Sequence, residues 1–170
     1  MKKQFVLSVF FVFVLTISTY GQEGFAAKAG FNNVSISIDT DDSFFGDASD
    51  SELGFYLGGG YNFELSEDFD IEPSLLFSFV DDLTSLYIPV MFKYKVADKF
   101  NIQGGPQINY LLEDLPDGEF GLDLAIGGGY QIDSNWFVEA RYGFQVSRGG
   151  DFGDFVDINT LTVGAGYRFN

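Results

Sequence analysis

The feature that most constrains the fold is a two-residue alternation of bulky apolar residues with polar residues or glycine. In segment 136–146, the sequence WFVEARYGFQV places aliphatic and aromatic residues at every second position from Trp136, while Glu139 and Arg141 fall between them. A period of two is that of a β-strand, whose successive side chains point to opposite faces. The two charges therefore share one strand face with Phe137, and the pattern predicts a chain built of strands.

Eight segments show this alternation and are separated by turn-forming residues. They are Phe25–Ser35, Gly54–Leu65, Phe69–Val80, Leu86–Val96, Phe100–Leu112, Phe120–Ile132, Trp136–Val146 and Asn159–Phe169. The connections alternate between tight turns at 66–68, 97–99 and 133–135 and mostly longer loops at 36–53, 113–119 and 147–158, with 81–85 as a short exception. This order predicts an up-and-down meander with both termini at the short-turn end. Eight antiparallel strands can close into a barrel that leaves no edge unpaired.

The bulk of the two faces indicates which one points into the barrel. In segment 120–132 one face carries Phe, Leu, Ile and Tyr, whereas half of the residues on the other are glycine. The interior of an eight-stranded barrel is narrow and is filled by side chains alone, so the bulky face is predicted to point outward to lipid. The predicted fold class is all-β: a transmembrane eight-stranded antiparallel up-and-down β-barrel with a polar lumen and a lipid-facing apolar exterior.

Aromatic residues at the short-turn end support a membrane location. Girdles of aromatic side chains mark the interfaces of transmembrane barrels, and an outward aromatic is expected at this end of every strand. The predicted girdle is Phe25, Phe63, Phe69, Tyr94, Phe100, Tyr130, Trp136 and Phe169. Pro73, Pro89 and Pro106 lie inside predicted strands, where proline removes a ladder donor, and each is predicted to mark a bulge or a locally unpaired position.

Residues 1–21 are predicted to be a cleaved secretory signal peptide, followed by the barrel domain at 22–170. Lys2 and Lys3 form a basic start, the run from Phe5 to Ser18 is mostly apolar, and small residues up to Gly21 suit signal peptidase. The alternative is an N-terminal membrane anchor. The apolar run of roughly 14 residues is short for a helical span, which needs about 20.

The composition excludes several functional classes. The chain has no histidine and no cysteine, which removes a Ser-His-Asp triad, imidazole and thiolate metal ligands, disulfides and lipid attachment at a cysteine. Its formal net charge is −16, from 25 acidic and nine basic residues. Such a charge leaves no basic patch for nucleic acid. We predict no catalytic residue, no cofactor and no enzymatic activity.

Most of the basic residues outside the leader fall on the predicted lumen face, together with several acids. Charges that are unpaired in a low-dielectric wall are costly, so we predict a network of ion pairs that plugs the lumen. Its predicted members are Lys28, Glu64, Asp70, Glu72, Lys93, Lys95, Asp123, Glu139, Arg141 and Arg168. All but Asp123 lie towards the short-turn end. A narrow ion or proton path and a catalytic acid-base pair are the alternatives.

The long loops are strongly acidic, and Arg148 is the one base among them. Their acids are Asp39, Asp41, Asp42, Asp47, Asp50, Glu52, Asp81, Asp82, Glu113, Asp114, Asp117, Glu119, Asp151, Asp154 and Asp157. A solvated, repulsive surface is the simplest interpretation. The alternative is Mg²⁺ or Ca²⁺ that bridges these carboxylates to lipopolysaccharide phosphates. Asp39, Asp41 and Asp42 resemble the start of a calcium loop, but the glycine and terminal glutamate of an EF-hand are missing, so no metal site is predicted. Phe44, Phe45, Phe152 and Phe155 either pack over the barrel mouth or form a partner-binding patch.

Several short motifs resemble those of small outer-membrane barrels of the PorT-like group and, more broadly, of OmpX- and OmpA-like eight-stranded barrels. They are Ala29–Asn32, Tyr87–Val90, Lys93–Tyr94, Gly104–Pro106, Tyr110–Leu112, Gly127–Tyr130, Glu139–Tyr142 and Gly164–Phe169. The resemblance spans nearly the whole predicted mature chain and implies the fold far more than a function. It also implies a terminal aromatic that the barrel-assembly machinery recognises, although here Asn170 follows Phe169.

These features predict a small non-enzymatic protein in the outer membrane of a Gram-negative cell, with periplasmic termini. Its surroundings would be outer-membrane lipid and lipopolysaccharide, with the barrel-assembly machinery as its insertion partner. Its expected role is structural or surface interaction, in adhesion or in the envelope, through the acidic extracellular loops and an unidentified protein partner. A small pore or an accessory component of a secretion or transport apparatus is the main alternative. A lipid-modifying barrel enzyme and a soluble ligand-binding barrel complete the set.

Overall fold

The computed structural model describes residues 24–38, 48–81, 83–112, 120–149 and 156–169. Nine strand segments lie within these ranges. They are β1 (Phe25–Ile38), β2 (Ala48–Tyr61), β3 (Phe63–Glu64), β4 (Phe69–Val80), β5 (Leu83–Ala97), β6 (Phe100–Leu111), β7 (Phe120–Gln131), β8 (Trp136–Arg148) and β9 (Val156–Arg168). In the part of the chain so described, no helix is long and apolar enough to cross a membrane.

The segments form one closed antiparallel barrel. Strands that are neighbours along the chain pair with each other except β2 and β3, which both pair with β4, and β1 also pairs with β9. Because β2 and β3 follow one another along β4 with a break at Asn62, they act as one barrel strand, and the barrel has eight strands. The Asn62 N–H donates a hydrogen bond to the Gly24 carbonyl at 2.7 Å, which ties the break to the start of β1. The predicted eight-stranded meander is confirmed.

The predicted bounds hold within a few residues, and the strands extend furthest at the long-loop end. β4 has the predicted limits, while β1 and β2 continue as a paired ribbon from Ser35 opposite Ser51 to Ile38 opposite Ala48. The 81–85 connection is shorter than predicted, since β5 already begins at Leu83. Asp81 has a φ of 48°, in the left-handed region that aspartate tolerates better than most residues, which lets the chain reverse in so little space.

Exposure follows the inside-out arrangement that the sequence predicts. Phe31 is 66% exposed and Leu53 is 71% exposed on the outer wall, whereas Lys28 and Arg141 are each 3% exposed inside. In water this distribution would be unfavourable for both faces. Lipid is the solvent that suits the outer wall, because it takes apolar side chains and leaves the polar ones to satisfy each other in the lumen.

The three strand prolines interrupt the ladder without shifting its register. Pairing of β4 with β2 and β3 lapses between Gly60–Ser74 and Phe63–Ile71, next to Pro73. Pairing of β4 with β5 lapses next to Pro89, and pairing of β5 with β6 lapses next to Pro106. A missing N–H removes a ladder bond on one side only, so the predicted unpaired positions are correct and the alternative of a bulge is wrong. The register shifts lie elsewhere, at Lys95/Ala97 and at Leu122/Asp123.

Candidate functional site

Five charged side chains meet inside the barrel and form what we call the central ion cluster: Lys28 on β1, Glu72 on β4, Lys93 on β5, and Glu139 and Arg141 on β8. Lys28 Nζ contacts Glu72 Oε1 and lies 3.0 Å from Glu139 Oε1. Lys93 Nζ lies 2.8 Å from Glu72 Oε2 and 3.9 Å from Glu139 Oε2. Arg141 Nη2 lies 3.3 Å from Glu139 Oε1. Each carboxylate is thus shared by at least two cations.

Burial gives the central ion cluster its energetic weight. None of its side chains is more than 6% exposed. Removal of one partner from a buried ion pair costs roughly 3–5 kcal/mol, because the other charge is left uncompensated. Since the contacts run across the lumen between β1, β4, β5 and β8, they also fix these strands relative to one another and occupy the space through which a solute would pass.

Phe137 lies beside the central ion cluster and is the one aromatic ring of β8 that points inward. Lys28 Nζ, Lys93 Nζ and Arg168 Cζ lie 5.6, 5.5 and 5.5 Å from its ring centroid. The face of an aromatic ring attracts cations at such distances, most strongly when they are desolvated. Gly166 lies opposite Phe137 in the ladder, and a Cβ there would collide with the ring. The glycine therefore makes the space that the ring occupies.

Three large side chains pack in the lumen next to the ions. Tyr56, Leu76 and Tyr87 form a buried cluster in which none is more than 4% exposed. Tyr56 lies against Gly30 and Gly164, where added side chains would overlap its ring or hydroxyl. The glycines of the inner face thus give room to a few large residues, as the narrow interior of the barrel requires.

The long-loop half of the lumen contains a second group, the amide cluster, formed by Asp123, Gln107, Asn109, Gln145 and Arg148. Asp123 Oδ2 accepts hydrogen bonds from Gln107 Nε2 at 3.1 Å and Asn109 Nδ2 at 2.8 Å. Arg148 donates to Asn109 Oδ1 and to Gln145 Oε1, each at 3.0 Å. Asp123 is 1% exposed, yet its direct partners are neutral amides.

The structure brings together only part of the predicted network. Lys28, Glu72, Lys93, Glu139 and Arg141 form the central ion cluster. Asp70 and Lys95 form a looser pair at 3.8 Å nearer the short-turn end, with the Lys95 side chain 40% exposed. Arg168 lies over Phe137, and Asp123 belongs to the amide cluster in the other half.

Glu64 is a correction to the predicted network. It lies at the end of β3 opposite Asp70, so it shares the inner face as predicted, but its side chain is exposed. The strand ends there, so the Glu64 side chain lies at the open end of the barrel and not among the buried lumen charges. Among the described residues it takes part in no ion pair.

The predicted girdle residues lie around the short-turn end in cross-strand aromatic pairs. Phe69 faces Tyr94, and Phe100 faces Tyr130. Trp136 contacts Tyr167 with centroids 5.1 Å apart, Tyr167 contacts Phe169 at 5.1 Å, and Phe169 stacks on Phe25 at 5.8 Å. Phe63 packs on Tyr61 at 4.6 Å. Rings therefore follow one another across the β8–β9–β1 seam where the barrel closes.

Most of the acidic loops, including Asp39, Asp41, Asp42 and the four loop phenylalanines, lie outside the described residues. Among their acids within the described ranges, Glu52, Asp81 and Asp157 are exposed. The described part of the chain holds no group of three or more acidic side chains arranged to bind a metal ion.

The turn between β7 and β8 is organised by one carboxylate. Asp133 Oδ1 accepts hydrogen bonds from the Trp136 N–H at 2.7 Å and the Asn135 N–H at 2.9 Å. These two donors favour the charged form and hold the pKa of Asp133 below its ordinary value. The turn thereby fixes the start of the strand that carries Phe137, Glu139 and Arg141.

Comparison with known proteins agrees with this architecture. The chain belongs to the outer membrane protein beta-barrel domain family, whose model matches residues 5–169. No curated protein matches the sequence.

Solved barrels share the fold at low identity. Ail, the attachment invasion locus protein of Yersinia pestis, is 18% identical with a TM-score of 0.52, over 86% of this chain and 99% of that one. Neisserial surface protein A is 15% identical with a TM-score of 0.59, over 86% and 98%. OprG from Pseudomonas aeruginosa is 16% identical with a TM-score of 0.51, over 88% and 97%. The chain is thus a small eight-stranded outer-membrane barrel.

Sequence reasoning missed the roles of Phe137 and Tyr56. The two-residue period already places Phe137 on the face of Glu139 and Arg141, so the signal for its inward position was present. Its three cations come from β1, β5 and β9, and only the closed barrel brings those strands to one ring.

Proposed function

We propose that the protein is a non-conducting, non-enzymatic outer-membrane barrel that acts at the cell surface through its long acidic loops. The observation that carries this proposal is the closed lumen. The central ion cluster spans it with side chains at most 6% exposed, and Tyr56, Leu76 and Tyr87 pack beside those ions. We therefore assign the interactions of this protein with other molecules to the two ends of the barrel.

The arrangement of loops and termini supports an assignment of the two ends. Both ends of the described chain and the three short turns lie at one end of the barrel, and the strand ends that the longer connections join lie at the other. Outer-membrane barrels have short periplasmic turns and longer extracellular loops. We assign the acidic loops to the outside and the termini to the periplasm. The last strand, with Phe169, is then where the barrel-assembly machinery would recognise the chain.

The loop composition supports a role at the surface. Carboxylates are ligands for Ca²⁺ and Mg²⁺, so these loops would contact lipopolysaccharide phosphates through divalent cations, or a protein partner through Phe44, Phe45, Phe152 and Phe155. One protein of the same fold is named for attachment and invasion, so the fold is compatible with such a role. The absence of histidine from the sequence supports a non-enzymatic protein, since histidine is the commonest general base.

Cysteine labelling of intact cells tests the assignment of the ends. The chain has no cysteine of its own, so Ser43→Cys in the first long loop and Ser134→Cys in the β7–β8 turn provide matched probes. A membrane-impermeant maleimide should label the loop cysteine on intact cells and should label the turn cysteine only after lysis. Labelling of the turn cysteine on intact cells would reverse the orientation.

Replacement of residues 39–47 by a Gly-Ser linker tests the role itself. The variant should fold and insert, as judged by heat-modifiable mobility on a gel, but should lose attachment of the cells or resistance of their envelope to chelation. The matched control replaces the 66–68 turn with residues of the same linker type. Full activity of the loop variant in both assays would contradict the proposal.

A further inference from the structure

The short-turn end of the barrel contains a cavity of about 260 Å³, which we call the vestibule. Its floor is made by Lys93, Phe137 and Glu139, and its wall includes Arg168, Lys95 and Asn101. The floor is buried, since Lys93, Phe137 and Glu139 are each at most 5% exposed. Because the central ion cluster lies directly behind it, the vestibule is a blind pocket that opens at one end only.

The lining of this half of the lumen has more cations than anions. Five basic side chains point inward there, against three acids within the barrel wall. The bases are Lys28, Lys93, Lys95, Arg141 and Arg168, and the acids are Asp70, Glu72 and Glu139. Asp98, Asp133 and Glu64 at the rim are exposed, where water screens them. The surface of the vestibule itself is balanced, with Lys93, Lys95, Lys99 and Arg168 against Asp70, Asp98, Asp133 and Glu139. The positive excess therefore lies in the buried charges at and behind its floor.

The buried lining atoms without a hydrogen-bond partner are of both kinds: Asp70 Oδ1 and Asn101 Oδ1 are acceptors, and Arg168 Nε is a donor. Glu139 is already contacted by Lys28, Lys93 and Arg141, and Glu72 by the two lysines. Arg168 forms no ion pair among the described residues, and its Nε is buried without a hydrogen-bond partner. The Lys93 ammonium has three protons and one short acceptor, Glu72. A buried donor without an acceptor costs about 1–3 kcal/mol, which favours a ligand that accepts hydrogen bonds.

We propose that the vestibule binds a small oxyanion, a carboxylate or a phosphate, between the Arg168 guanidinium and the Lys93 ammonium. Arginine matches the geometry of both anions, and charge-assisted hydrogen bonds are stronger than neutral ones. The volume of the cavity admits a molecule of only a few non-hydrogen atoms or the head of a larger one. The shared chemistry is the oxyanion, whether it belongs to a free solute or to the phosphate of a lipid headgroup in the adjacent leaflet.

This site is separate from the loops at the opposite end. It requires no conduction, since the vestibule ends at the central ion cluster. The outcome of the maleimide and loop-replacement experiments does not alter the binding result, so either proposal can fail alone.

Titration of the purified barrel in zwitterionic micelles tests the site. Inorganic phosphate and succinate are the probes, and the readouts are calorimetry and the ¹⁵N–¹H signal of the Arg168 Nε. We expect saturable binding with a shift of the Arg168 signal and no comparable shift at Arg148. Nanodiscs with phosphatidylglycerol, compared with phosphatidylcholine alone, distinguish the sources: a shift without added phosphate in the former identifies the lipid headgroup.

Two variants that each remove one positive charge are compared, and the second is the control. Arg168→Gln should weaken binding about tenfold or more, the scale of one charge-assisted hydrogen bond. Lys99→Gln removes one positive charge from the exposed rim of the same cavity and should leave the affinity within about threefold. Equal losses in both variants would reduce the effect to general electrostatics and overturn the site. Titrations of the unaltered protein that do not saturate, or that leave the Arg168 signal unmoved, would overturn it as well.

Discussion

The two halves of the lumen stabilise their buried acidic side chains with different kinds of partner. In the short-turn half, the central ion cluster places two carboxylates between three cations, all within a barrel wall that excludes water. In the long-loop half, the direct hydrogen-bond donors to Asp123 are the neutral amides of Gln107 and Asn109, and the Arg148 guanidinium is one contact further away. Asn32 Nδ2 donates to Ser78 Oγ at 2.7 Å nearby.

The difference indicates where the loss of one side chain should cost most. A neutral hydrogen bond contributes about 0.5–1.5 kcal/mol net, whereas loss of one member of a buried ion pair costs roughly 3–5 kcal/mol. Loss of a single side chain is therefore expected to cost most in the central ion cluster. In the amide cluster, the loss of one contact is expected to cost less.

The largest expected effect is that of Glu72→Gln. The substitution leaves Lys28 and Lys93 buried with one fewer negative charge, so we expect a loss of roughly 3–5 kcal/mol. Urea-induced unfolding in lipid vesicles measures it. Glu64→Gln is the matched control, since Glu64 lies on β3, which pairs with the strand that carries Glu72. Because Glu64 is exposed, this substitution should change the free energy of unfolding by no more than about 0.5 kcal/mol. Similar losses for both glutamates would remove the distinction between buried and exposed acids.

A smaller effect is expected from the packing of Phe137 against Gly166. Gly166→Ala places a Cβ into the ring and should destabilise the barrel by about 1–3 kcal/mol through overpacking. In a Phe137→Ala background the same substitution should cost much less, because the space is free. A double-mutant cycle with no coupling between the two positions would show that the glycine is not there to accommodate the ring.

The amide cluster should respond weakly to loss of its charge. Asp123→Asn keeps the shape and one acceptor oxygen for Gln107 and Asn109, so we expect a loss of about 1 kcal/mol. The same urea titration checks it. A loss as large as that of Glu72→Gln would mean that Asp123 is held by charge to the same extent, and the contrast between the two halves would fail.

The smallest effect is expected at the Asp133 turn. The folded state lowers the pKa of Asp133, so its contribution to stability is present above the unfolded pKa of about 3.9 and is lost as pH falls through the lower folded value. Asp133→Asn should therefore lower the urea midpoint slightly at neutral pH, and the difference from the unaltered protein should disappear in acid. A difference that is constant with pH would exclude the charge of Asp133 as its cause.

The architecture was largely predictable because period-two alternation is a local property of the chain. The strand order follows from the alternation of short turns and longer loops. The outward aromatic residues such as Trp136 and Tyr94 and the inward Glu139 and Arg141 follow from the two-residue alternation within single strands. The partners of those charges do not. Lys28 and Glu72 are 44 residues apart, and Lys28 and Glu139 are 111 apart, so their contact depends on barrel closure and register.

The misplaced details have the same cause. Glu64 has the parity of a lumen residue, but the sequence does not reveal that its strand ends at the water-exposed rim. The prolines lose a ladder bond while the paired strands on either side keep the register, and the shifts occur instead at Lys95/Ala97 and Leu122/Asp123. Neither position contains a proline or a glycine that would mark it in the sequence.

Single-channel recording across planar bilayers tests the central claim most directly. The purified protein, inserted beside a general porin that confirms the sensitivity of the bilayer, should show no stable conductance at any salt concentration, because the central ion cluster and Tyr56 fill the lumen. Sustained steps whose size increases with salt concentration would contradict the closed lumen and would favour the small pore instead.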